Sequence, residues 1–245
     1  MTAVDTVAER ESDLRADLGA AAGVLARVTL VGAFSGVIAV GVLGRVAMLL
    51  LAYLNPVATG VTSDDGFVMG QFTISGSLQL AASGLQFGVT GVFFYLALRG
   101  LMVGPGWFRL LSISLGPALV IGAIIVHTDG VDFNVLEPVW LAALLFIGVP
   151  FAYCALLHVL SVRALRSDRP LPRPLLVLGL LPWILLMPLT LILLAGFLAL
   201  RALRRGAAGR AFLARAWPGW VLRGALAALV LVSVVDLVSD IDTLS

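Results

Sequence analysis

The sequence predicts an all-α polytopic membrane protein, with six transmembrane helices and a short extracytoplasmic β-hairpin at about residues 61–75. Three observations predict it. Sixty per cent of the chain is hydrophobic and 12% charged, with a mean hydropathy of +1.08; an ordinary soluble domain carries about a quarter charged residues. The apolar residues fall in six runs, at approximately 28–54, 78–98, 110–126, 138–162, 175–200 and 217–239, each near the about 20 residues a helix needs to cross a bilayer. The runs are continuous rather than alternating, which excludes a β-barrel. A soluble enzyme, a disordered chain and a disulfide scaffold are excluded with it. Cys154, alone of its kind, lies inside an apolar run and reads as a small buried hydrophobe.

Residues 1–22 read as a cytosolic polar helix leading into the first span. Five acidic residues stand there against Arg10 and Arg15, the opposite of the positive opening of a signal peptide. Residues 23–162 form a four-helix transmembrane core. Between its first two spans, "VTSDDGFVMGQFTIS" places Asp65-Gly66 between β-prone runs, the signature of a hairpin turn. Residues 163–245 form an Arg-rich pair of apolar segments.

Orientation follows from arginine. All sixteen basic residues are Arg. They stand at the ends of apolar segments rather than on one soluble face, so the pI of about 9.2 marks topology and not nucleic-acid binding. Loops 55–77 and 127–137 carry no Arg, whereas Arg99, Arg109, Arg163, Arg166, Arg169 and Arg173 flank the alternate loops. The N-terminus is therefore expected inside and the two Arg-free loops outside. The last third conflicts with this rule. If 175–200 crosses, Arg201, Arg204, Arg205, Arg210 and Arg215 fall outside and the acidic tail falls inside. The alternative is a re-entrant pair of half-helices broken at Pro182 and Pro188, each of which removes a backbone donor. Continuous apolar character favours crossing. Residues 201–216 read as a basic interfacial helix, with Trp217 and Trp220 in an interface belt.

Candidate chemistry gathers at the outer end. Asp64, Asp65, His127, Asp129 and Asp132 are candidate ligands for a cation, as oxygen donors with one imidazole; equally, they are acidic residues on the side from which arginine is excluded. Arg45 lies 18 residues beyond Arg27, or about 27 Å along a helix, near the outer edge of a hydrocarbon core about 30 Å thick. It either snorkels to headgroups or pairs with Asp64 or Asp65 to gate a cavity or hold an anion. A pocket is expected under the outer hairpin near Arg45, with Gln86 as a second pore- or cavity-lining candidate. His127 and His158 fall at opposite sides of the membrane and cannot share a haem. Gly32 and Gly36 in the first span, and Gly84 and Gly88 in the second, are spaced to let two helix backbones approach. No cofactor is expected.

The stretches "GRVAMLLLAYLNP", "SDDGF", "HTDGVDF" and "LEPVWLA" resemble those of multi-pass membrane proteins of actinobacteria, over roughly 28–162. The resemblance implies a bacterial plasma membrane and no particular activity. Three functions are carried forward: an accessory or scaffold subunit of a membrane complex, with lipid and a membrane protein as partners; a small ion or solute transporter using Arg45 and the outer carboxylates; and a membrane enzyme acting at the outer leaflet.

Overall fold

Helix dominates because the chain offers little else: long apolar runs in lipid must satisfy their own backbone hydrogen bonds. The computed structural model describes residues 3–64, 66–167 and 169–244, with side chains from residue 12 onward. Six of its helical stretches are long and apolar enough to span a membrane. Helix α1 (Ala3–Gly36) passes through a π-helical stretch, Val37–Leu43, into α2 (Gly44–Leu54). Then come α3 (Ile74–Leu98), α4 (Gly106–Ile125), the single turn α5 (Asp132–Val135) and α6 (Val139–Leu165). The last third holds α7 (Arg173–Leu180), α8 (Pro182–Leu185), α9 (Met187–Arg205), α10 (Ala207–Leu213) and α11 (Trp217–Leu244). The polar N-terminal stretch and the first span are one continuous rod.

Helix α1 is the centre of the bundle. It packs on α3, α6 and α7, while α4 packs on α6 and α11 packs on α4. Two buried apolar clusters hold the ends together. One joins Val28, Val92, Tyr95, Ile113, Tyr153, Leu157 and Trp183; the other joins Leu51, Val126, Phe133, Ala142 and Leu237. Among residues 12–244 every Arg except Arg45 lies on segments at the first end, here the arginine end; the opposite end, bearing the loops around Asp64 and Asp132, is the loop end.

The outer β-hairpin is corrected. No strand forms among the described residues, and the 60–70 loop has a single antiparallel bridge, Thr62 with Val68. Gly60, Gly66 and Gly70 all take positive φ, so the chain curls away on both sides of the bridge before a ladder can extend. The turn residue Asp65 lies outside the described residues.

The segment 175–200 is a helical hairpin rather than one continuous rod. Pro182 and Pro188 each open a new helix at its first or second position, where the missing N–H has no partner to lose. Leu186 between them leaves the helical region at φ −90°, ψ 37°. Contacts along α1 give the hairpin its direction. Gly179 lies against Ala26, and the Trp183 indole N–H donates to the Thr29 hydroxyl at 2.8 Å. Past the turn, Arg201 pairs with the Asp17 carboxylate and also donates to the Asp13 carbonyl at 3.4 Å. The hairpin therefore turns beside Thr29 and runs back toward the start of α1. Arg223, early in α11, donates to the Leu101 carbonyl at 2.7 Å in the α3–α4 loop, whereas Ile241 and Leu244 pack into the loop-end cluster. Helix α11 thus starts at the arginine end and finishes at the loop end.

Candidate functional site

The loop end is built from two surface loops clipped to each other. The Asp64 carboxylate accepts the backbone N–H of Val131 at 3.0 Å and of Asp132 at 3.2 Å, and the Asp64 N–H donates back to the Asp132 carboxylate at 3.2 Å. These two backbone donors, together with the nearby His127, hold the Asp64 carboxyl below its ordinary range. A second tie lies alongside. The buried Asn55 side chain donates to the Leu51 carbonyl at 2.9 Å and accepts the Glu137 N–H at 2.7 Å. Asn55 follows the last residue of α2 and precedes Pro56; its backbone N–H and its side-chain amide both donate to the Leu51 carbonyl and close the helix there.

Beneath this roof a cavity of ≈ 60 Å³ opens on Arg45. Met48, Leu51, Leu136 and Phe146 form apolar walls, and Ser63, Gln71 and Asp132 supply polar lining. The π-helical stretch puts Arg45 there. A π turn holds one residue more than an α turn, so side chains beyond it rotate by roughly 100° from a continuous α-helix. Arg45 thereby faces the start of α3, where its guanidinium lies 4.9 Å from the Phe72 ring centre. Its hydrogen bonding is thin. One terminal nitrogen approaches the carbonyls of Gln71 and Thr73, each at 3.5 Å, and the buried Nε finds no partner among the described residues. The carboxylate pairing considered for Arg45 does not form with Asp64, whose oxygens are held by Val131 and Asp132; Asp65 lies outside the described residues.

The other sequence candidates are spread out. Asp129 is exposed, His127 is half-buried beside Gly130, and Asp132 is buried within the clip. Among the described residues no three His, Cys, Asp or Glu side chains gather as a set able to hold a metal. Gln86 is exposed on α3 and does not line the Arg45 cavity. His158 sits beside Tyr95 at the arginine end, its ring nitrogen 3.4 Å from the Tyr95 hydroxyl, while His127 is at the loop end. Gly32 faces Gly88 and Gly36 faces Gly84, with the backbones so close that a Cβ on any of the four would meet the facing carbonyl oxygen. Tyr153 of α6 completes that junction, its hydroxyl donating to the Gly88 carbonyl at 2.8 Å over the bare face of Gly91.

Sequence reasoning missed Asn55, Tyr153 and the Thr29–Trp183 bond. The first had a signal, an Asn-Pro step directly after an apolar run. The other two are single polar atoms in apolar helices whose partners come from 65 and 154 residues away, and no local pattern announces them.

Compared with known proteins, the chain matches no family model, no curated protein and no solved structure.

Proposed function

We propose that this is an accessory or scaffold subunit of a bacterial plasma-membrane complex, with its N-terminus in the cytoplasm and its two clipped loops outside. The observation that carries the reading is the uncovered C-terminal third. Helix α9 buries none of its residues within the chain, and α11 buries Ser233 and Leu237 alone among its 28. Both present long apolar faces, including Leu191, Ile192, Val232 and Val235, beside a core that already holds itself together. Faces of this kind suit association within the bilayer, where packing rather than water exclusion drives contact. The arginine distribution supports the orientation. In this reading five helices cross, and α7–α9 enters and leaves on the cytoplasmic side, which keeps Arg201 to Arg215 inside.

A photo-crosslinking amino acid at Leu191 or Val235, in cells carrying the native complex, tests it. A discrete crosslinked species is expected at both sites and absent from the lipid-facing control Ile124. Lipid adducts alone at all three positions refute it. The Arg45 cavity favours a second reading, a small ion or solute transporter. Transport would require the Gly36–Gly84 junction below the cavity to open.

A further inference from the structure

We propose that the Arg45 cavity binds a singly charged oxyanion of the phosphodiester type, supplied by a lipid headgroup or by a free small anion. The inference is independent of the subunit reading. Its basis is the joint placement of an under-partnered guanidinium and a cavity that opens on it. Arg45 is a permanent cation on a segment, "GRVAMLLLAYL", that is otherwise uncharged. A charge at that depth is retained where something compensates it. Among the described residues the protein gives it two carbonyl contacts at 3.5 Å and the face of Phe72, and offers the buried Nε no acceptor. A guanidinium presents five donors in a planar fork that matches two oxygens of one oxyanion.

The cavity is the right size for such a group. A space of ≈ 60 Å³ is about four times the roughly 15 Å³ that one water needs, which accommodates a phosphate diester or a short carboxylate. Its electrostatics limit the charge. Asp132 also lines the wall, so a second negative charge on the ligand is repelled. The flank admits an acyl chain: Leu49 lines the cavity and is itself exposed, next to the exposed Val46 and Leu50. A lipid phosphate can therefore reach Arg45 from the side, with its chain along α2, while a free anion enters from under the 60–70 loop.

The test uses the purified full-length chain in a neutral detergent, with the unfolding midpoint read by tryptophan fluorescence. The probes are dimethyl phosphate and dioleoyl phosphatidylglycerol. Trimethyl phosphate and dioleoylglycerol are the uncharged controls. Saturable stabilisation by the charged probes is expected, with Arg45→Gln weakening apparent affinity at least tenfold and Arg45→Lys weakening it less. Response to both charged probes assigns an oxyanion site open to solutes. Response to phosphatidylglycerol alone, still lost in Arg45→Gln, assigns the headgroup as the source. No stabilisation of the unaltered chain by either probe overturns the proposal, as does equal stabilisation by the uncharged controls. Stabilisation that persists undiminished in Arg45→Gln also overturns it, because the anion then sits elsewhere among the arginines. If Arg45→Gln does not fold, Ala52→Leu keeps the cation and fills the cavity. Loss of binding in that variant supports the site, and unchanged binding overturns it.

Discussion

Gly36→Ala is expected to destabilise the protein, although the same change elsewhere in this helix stabilises it. A methyl group on Gly36 would overlap the Gly84 carbonyl oxygen and lie 2.7 Å from the Gly88 Cα. Ordinary contacts of that kind are about 3.5–4.0 Å, so α1 and α3 must separate by roughly 1 Å or more. The obstacle is backbone, which cannot rotate aside as a side chain can. Forcing extra volume into a packed site costs about 1–3 kcal/mol, partly offset by the about 1 kcal/mol that Ala gains over Gly in a helix. Separation also lengthens the Tyr153–Gly88 hydrogen bond, which the structure sets at 2.8 Å. Gly23→Ala is the control. Nothing lies within 4 Å of a Cβ there, so the propensity gain of about 0.5–1 kcal/mol stands alone. The two variants should therefore differ by about 1–3 kcal/mol, read as a lower and a raised midpoint in unfolding by SDS in mixed micelles. Equal midpoints for the two variants would mean that the α1–α3 junction is looser than these contacts imply, and the reasoning would fail.

Three further outcomes follow from the same contacts. In a Cys154→Ala background, Thr243→Cys should react with a membrane-impermeant thiol reagent in intact cells, and Ser167→Cys should react after permeabilisation alone; the same accessibility at both positions sinks the re-entrant hairpin. Thr29→Val removes the acceptor of the Trp183 indole and should cost about 1–3 kcal/mol, the range for an orphaned buried donor; Trp183→Phe in the same background should add less than it does alone, and strict additivity would show that the bond contributes nothing. Because the Asp64 carboxyl is held below its ordinary value, the loop clip is complete above about pH 4, the unperturbed carboxylate range. It is lost as pH falls through the lowered folded value. Protection of the Val131 and Asp132 amides, taken relative to the intrinsic exchange rate at each pH, should fall there, and should already be low at neutral pH in Asp64→Ala.

Much of the fold is legible in one dimension because lipid imposes a one-dimensional rule. A helix must be long and apolar to cross, and composition alone therefore predicts six such helices and the approximate limits of five, while the run 175–200 is divided at Pro182 and Pro188. Glycine spacing is legible for a related reason: Gly32 and Gly36 recur on one face of a regular helix, as do Gly84 and Gly88. The 60–70 loop misleads because β propensity reports side chains, whereas three glycines at positive φ end the ladder through the backbone. Arg45 stands out as a lone charge, but its surroundings do not. Its facing depends on a π stretch between Gly36 and Gly44, which no hydrophobic period encodes. The acidic residues form a visible cluster in the sequence, yet their use is local: Asp64 holds two backbone N–H groups across a separation of 67 and 68 residues.

By itself, then, the sequence determines a helical membrane protein with an arginine end, an acidic end and two closely approaching glycine faces, since each depends on composition or on the period of a single helix. Tertiary structure alone decides the return of α9 to Asp17, the ends between which α11 runs, the joining of the two loops and the cavity beneath them. Each of these depends on which distant segment supplies the partner, and an apolar run carries the same signal whether it crosses the bundle or folds back on itself.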